Sequence, residues 1–294
     1  MLAAWLLICI LAFHSGPARA EILLPQADGS SLTLAGPAGS LITLAPNLTE
    51  LAYAAGAGQQ LLATVEYSEY PEAAARLPRV GDAFRLDLER IVALKPDLVV
   101  AWQSGNPQQA VARLQALGIP TWTIEIRAPE DIANTLEWFG LATDHREAAQ
   151  KAARNVREQL QALTEGYSGL PPVRYFYQVA AHPLFTINGK HLIAQSFSLC
   201  GGVNVFADET VLAPQVSREA VIAANPDVLF APAIPGEPDP LADWLQWTRV
   251  TAVELNQLYT LPADEISRAT PRMLDAVATG CRLMHQGRKG NPHE

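Results

Sequence analysis

Between Glu21 and Pro46 the apolar positions come in short runs, broken by turn residues at Asp28-Gly29 and Gly36-Pro37. The pattern predicts three strands, over Ile22–Leu24, Ser31–Leu34 and Leu41–Leu44. Strand and helix signals then alternate. A helix is expected over Thr49–Ala55, closed by Gly56, and a strand over Leu61–Val65. A helix over Leu88–Leu94 stops before Pro96, and a strand follows over Leu98–Ala101. A helix over Pro107–Leu117 stops at Gly118, ahead of a strand over Thr121–Ile126. Such βαβ alternation calls for a mostly parallel sheet with helices on both faces.

The rhythm breaks at His145–Glu165, a stretch without Pro or Gly and rich in Ala, Gln, Glu and Arg. Asp144 is placed to cap this helix, with Glu147 as its reciprocal partner and Gly166 as its end. At 1.5 Å per residue it spans about 30 Å. Strand signals resume at Arg174–Gln178, Val228–Ala231 and Leu258–Leu261, with helices between. The expected fold class is therefore α/β, with two Rossmann-like lobes joined by one long rigid helix. The division reads as a leader over 1–20, an N-terminal lobe over 21–143, the connecting helix over 144–168, a C-terminal lobe over 169–286 and a disordered tail over 287–294.

An internal repeat supports two lobes. The segment Glu89–Ala101 reappears without a gap 130 residues later as Glu219–Ala231. The opening Glu, an Ala, the central Pro-Asp and the final Ala are identical, and apolar character is kept between them. The unit is a helix, a Pro-Asp turn and a buried strand.

Composition narrows the field. Hydrophobic residues make up 49% of the 294 and charged residues 17%, which excludes a disordered chain. Twenty-one basic against 30 acidic residues give a net charge of −9, so no nucleic-acid partner is expected. The apolar run Leu2–Phe13 and the small-x-small triplet Ala18-Arg19-Ala20 read as an export signal, with the mature chain starting near Glu21. Cys9, inside that run, offers the less favoured reading of a lipid anchor. Beyond the signal remain Cys200 and Cys281, and a pair in an exported chain reads as one disulfide, two free buried thiols being the alternative.

The common catalytic signatures are missing. The sequence has no phosphate-binding Gly-x-x-x-x-Gly-Lys, no dinucleotide fingerprint after a strand and no Gly-x-Ser-x-Gly elbow. Its six histidines lack metal-ligand spacing, so no metal site, no cofactor and no enzyme is expected. Open α/β sheets bind ligands beyond the carboxyl ends of their strands. Tyr67, Trp102 and Asp264 follow such ends and are placed to face a cleft between the lobes.

The segment Asp87–Trp102 resembles the periplasmic vitamin B12-binding proteins, receptors of cobalamin ABC importers within the helical-backbone, class III solute-binding family. Leu44–Leu51, Tyr67–Pro71, Cys200–Phe206 and Pro214–Glu219 match as well, so the resemblance covers roughly residues 40 to 285. It implies the class III fold and an exported receptor, monomeric when free. That receptor captures cobalamin or a related corrinoid and delivers it to an inner-membrane permease with its ATPase. It implies ligand contacts at Tyr67, Phe185 and the loop Asp264, Glu265, Ile266, Ser267 and Arg268, to which Trp102, placed after its strand, and Phe84, beside Ala83, are added as expected contacts. It also implies docking of Glu89 and Glu219 on the permease, and the Cys200–Cys281 bridge. The chain departs from the family pattern at Ala83 and Ala213, where the family can place Trp, and at Glu265 and Ile266, where it has aromatics. A ferric-siderophore or haem receptor of the same fold, for which Arg85 and Arg268 would supply cations, stands as the alternative. An exported enzyme or a metal-ion receptor is the alternative from another class.

Overall fold

The computed structural model describes residues 21–82 and 84–286. The expected export signal over 1–20 with Cys9, Ala83 and the stretch 287–294 lie outside the described residues.

The chain opens with a hairpin of β1 (Ile22–Pro25) and β2 (Ser31–Leu34). The first lobe is then built on β3 (Leu41–Thr43), β4 (Leu61–Ala63), β5 (Leu98–Trp102) and β6 (Thr121–Ile124). They form a parallel sheet in the order β4-β3-β5-β6. Its helices are α1 (Pro46–Ala54), the single turn α2 (Glu72–Ala75), α3 (Leu88–Leu94), α4 (Gln108–Ala116) and α5 (Glu130–Thr143). The long helix α6 (Arg146–Gly166) follows. The second lobe holds β7 (Val173–Tyr177), the small hairpin β8 (Ala180–Ala181) and β9 (Leu184–Phe185), β10 (Gly202–Asn204), β11 (Val228–Ala233) and β12 (Leu258–Pro262). Its parallel sheet runs β10-β7-β11-β12, the same order as the first under a pseudo-twofold exchange. Its helices are α7 (Leu192–Ser198), α8 (Arg218–Ala224), α9 (Thr251–Glu254), α10 (Ala263–Ile266) and α11 (Pro271–Gln286).

The repeated segments are structurally equivalent. Asp87 and Ser217 cap α3 and α8 by accepting from the N–H groups of Arg90 and Ala220 at 3.0 and 3.1 Å. Lys95 and Asn225 close the two helices with left-handed backbones, at φ of 48° and 45°. The Pro-Asp pair then does two jobs. Proline bars continuation of the helix. The aspartate ties the new strand to its neighbour: Asp97 accepts from the Gly39 N–H and the Ser40 hydroxyl, both at 2.9 Å, and Asp227 accepts from the Arg174 N–H at 3.0 Å.

Each sheet is covered on both faces. In the first lobe α1, α5 and the first half of α6 cover one face, with Leu48, Phe139 and Ala153 in that core, and Ile91 and Val111 lie on the other. In the second lobe α7 and α11 cover one face, and Val221, Trp244 and Ala252 the other. The helix α6 serves both lobes. Ala149, Ala153 and Val156 join the first core and Leu163 joins the second. Arg157 fastens it to α5 through Glu130 at 2.6 Å and Glu137 at 2.7 Å. These bonds raise the arginine's pKa and lower that of Glu137. Cys200 and Cys281 form a disulfide joining the turn after α7 to α11.

Two expectations need correction. Asp144 does not cap α6. It takes a left-handed conformation, φ 61°, at the corner between α5 and α6, and His145 holds the N-cap position without a side-chain cap bond. The sequence reading also contained no helix at Glu130–Thr143, where Ile132, Ala133, Leu136 and Phe139 form a buried face. Other boundaries shift by one to three residues, as helix ends do. Among the described residues, no helix is long and apolar enough to cross a membrane.

Candidate functional site

A cavity of about 860 Å³ lies between the lobes and is lined mainly by segments that follow the carboxyl ends of strands. From the first lobe come the α1 start (Pro46, Asn47), the turn after β5 and the loop after β6. From the second come the loop into α7, Leu212, and the stretch from α10 into α11. The placement follows from parallel strands, which aim all their carboxyl ends at one edge.

Trp102 is the main aromatic of the cavity wall. The Asn106 side chain accepts from its N–H at 2.7 Å and donates to the Leu44 carbonyl at 2.8 Å, locking the turn after β5. Gly105 makes room for the indole, since a Cβ there would meet Trp102 Cδ1 at 2.6 Å.

Tyr67 is 71% exposed, with a left-handed backbone at φ 64°. Its loop rests on buried hydroxyls. Thr49 and Thr64 meet at 2.6 Å, and Thr64 donates to Ser68 at 2.9 Å. Arg268 Nη2 reaches across from the second lobe and donates to the Tyr67 carbonyl at 3.1 Å.

That contact is part of a larger bridge between lobes. Glu50, on α1, is a buried carboxylate. It accepts from Arg268 Nη1 at 2.9 Å, Thr270 Oγ1 at 3.2 Å and Arg272 Nη1 at 3.4 Å. Arg268 also reaches Asp264 at 3.2 Å, Arg272 reaches Glu265 at 3.3 Å, and the Arg272 guanidinium lies 4.0 Å from the centre of the Tyr70 ring. A buried charge survives only with such partners.

Of the expected ligand contacts, Trp102, Ile266, Ser267 and Arg268 line the cavity. Tyr67 is not among the lining residues, and its backbone carbonyl accepts from Arg268, which is one of them. Phe84, Phe185, Asp264 and Glu265 are not among the lining residues. Phe84 is 77% exposed on a turn whose N–H groups are held by Asp82. Phe185 pairs instead with Gln215 in an isolated bridge, and the carboxylates of Asp264 and Glu265 turn to the arginines. Arg85 does not line the cavity either. Sequence reasoning missed Glu125 to Ala128 and Lys190 to Ile193. The first group follows β6 directly, so the strand-end rule would have found it. The second precedes a helix and carries no such signal. His191 caps α7 by accepting from the Ile193 N–H at 3.2 Å, and burial lowers its pKa. Among the described residues, no cluster of three or more His, Cys, Asp or Glu side chains could hold a metal ion.

The sequence profile of the family described as periplasmic binding protein matches residues 41–265. This chain belongs to that family. A periplasmic binding protein is a receptor rather than an enzyme, and the chain is assigned to the periplasm on that basis. It is 42% identical over 254 residues to the vitamin B12-binding protein of Vibrio parahaemolyticus, covering 86% of this chain and 92% of that one. It is 40% identical over 270 residues to the vitamin B12-binding protein of Yersinia pestis, covering 91% and 93%. Among solved structures, the periplasmic vitamin B12 binding protein BtuF of Vibrio cholerae superposes with a TM-score of 0.79 at 40% identity, covering 86% of this chain and 99% of that one. The heme-binding protein BhuT superposes at 0.74 but with 22% identity, covering 86% and 99%, which speaks for the fold alone. The class III architecture is thus established.

Proposed function

We propose that this chain captures cobalamin or a close corrinoid in the periplasm and hands it to the inner-membrane permease of an ABC importer. The observation that carries the reading is identity of about 40% with vitamin B12-binding proteins over almost their whole length, against 22% for a heme-binding protein of the same fold. The large interlobe cavity, with Trp102 in its wall, suits a broad ligand that is partly apolar. Corrinoid contacts are assigned to Tyr67, Trp102, Ile266, Ser267 and Arg268, with Phe84 and Phe185 held outside the cavity lining. Export by a cleaved leader over residues 1–20, a monomeric free state and a permease-bound ATPase complete the reading. The exposed Glu89 and Glu219 head the two equivalent helices and are assigned to permease docking.

Tryptophan-fluorescence titration with cyanocobalamin, haem and a ferric hydroxamate tests this. Saturable quenching by cyanocobalamin at the lowest concentration is expected, and Tyr67→Ala should weaken it by about five- to thirty-fold. Tighter binding of haem or the siderophore than of cyanocobalamin would refute the corrinoid reading.

A further inference from the structure

Five charged or titratable side chains line the cavity: Glu125, Arg127, Lys190, His191 and Arg268. Three are already engaged. Arg268 is satisfied by Glu50, Asp264 and the Tyr67 carbonyl. The Glu125 carboxylate accepts from the N–H and hydroxyl of Ser104 at 2.9 and 3.1 Å. His191 is committed to capping α7. Arg127 and Lys190 remain, and among the described residues neither side chain takes part in an ion pair.

The loops that carry these two cations are joined although they come from different lobes. Arg127 follows β6 in the first lobe and Lys190 precedes α7 in the second. One side-chain nitrogen, Gln195 Nε2, donates to both backbone carbonyls, at 2.6 Å to Arg127 and 2.8 Å to Lys190. The amide therefore staples the two loops together at the cleft, whose lining carries both cationic side chains and one carboxylate, Glu125, that is bonded to the neutral Ser104.

We propose that Arg127 and Lys190 form an anion subsite that takes the phosphodiester of the corrinoid's nucleotide loop. The inference rests on the corrinoid reading above. A complete cobalamin carries one phosphodiester, a monoanion at all physiological pH, while its corrin periphery carries neutral amides. A bidentate guanidinium and a point-charge ammonium suit a phosphodiester, and charge-assisted bonds are the stronger kind. The subsite would distinguish complete corrinoids from cobinamide, which lacks the nucleotide loop and its phosphate.

Calorimetric titration of the full mature protein and its Arg127→Ala/Lys190→Ala variant, each with cyanocobalamin and with dicyanocobinamide, tests the assignment. The variant should bind cyanocobalamin about five- to thirty-fold more weakly and dicyanocobinamide within about twofold of wild type. Raising salt should weaken cyanocobalamin binding by the wild type more than by the variant. The charge-conserving Arg127→Lys/Lys190→Arg variant should restore most of the loss. Equal losses for both corrinoids, or none for either, would overturn the subsite. Wild-type protein that binds neither corrinoid would overturn the corrinoid reading and the subsite together, and this outcome shows before any substitution is made.

Discussion

Glu50 places a full negative charge where water does not reach, and what it touches decides whether that is tolerable. Its oxygens meet two guanidinium groups and a hydroxyl, all from the opposite lobe. Removing one member of a buried ion cluster leaves the others uncompensated. Glu50→Ala should therefore lower unfolding free energy by about 3 kcal/mol in urea denaturation, with Arg268→Ala/Glu50→Ala less damaging than the sum of the two single changes. The Arg157 pairs on α5 and α6 are more exposed and should matter less. This cluster also shows where a sequence stops speaking about a site. Trp102 and Arg268 were legible, one from its place after a strand and the other from a family resemblance. Nothing around Glu50 distinguishes it from an ordinary surface glutamate of a helix, because its partners lie more than 200 residues away.

Helices α5, α6 and α7 show how local chemistry sets the ends of elements. At α7, His191 serves as the cap, and its ring nitrogen can accept only while unprotonated. Burial lowers its folded pKa below the ordinary 6.5. The unfolded chain then binds the proton more readily. This contribution is intact above about pH 6.5 and is lost as pH falls through the lowered folded value. A Tm–pH profile between pH 8 and 5 should fall on the acid side for wild type and flatten for His191→Asn, which keeps a cap acceptor that does not titrate. At the α5–α6 corner the sequence misled. Gly140, a residue type that weakens helices, lies inside α5, where the Cβ of Ala149 on α6 leaves no room for a side chain. Close packing of two helices, rather than chain termination, selects glycine there. Asp144 has the residue type of a cap, whereas the tight corner requires a left-handed residue, a role aspartate can also fill. The two repeated helix-strand units were legible because Pro-Asp and an unbroken apolar run leave few other structures open, whereas the three-residue β10 and the two-residue β8 and β9 are too short to carry such a pattern.

At the scale of the whole molecule the two lobes present matching helix starts, each with an exposed glutamate. The Glu219 carboxyl is held below its ordinary pKa by its own backbone N–H and by Ser217, so it stays ionised. If the pair sets register on a permease, Glu89→Ala/Glu219→Ala should leave cobalamin affinity and Tm close to wild type. Complex formation with the reconstituted permease should fall, and salt should weaken the wild-type complex. Unchanged transport by the double variant would refute the docking role. The path of the chain adds a consequence for how the molecule comes into being. The first lobe is made early, yet Ala269 and Leu274 belong to its core although they lie after the last strand of the second lobe. A chain threaded into the periplasm amino end first therefore cannot finish its first lobe until nearly all of the second has arrived. Until then an apolar patch on the first lobe stays open, and this long interval is the period when the protein most needs a chaperone's protection against aggregation.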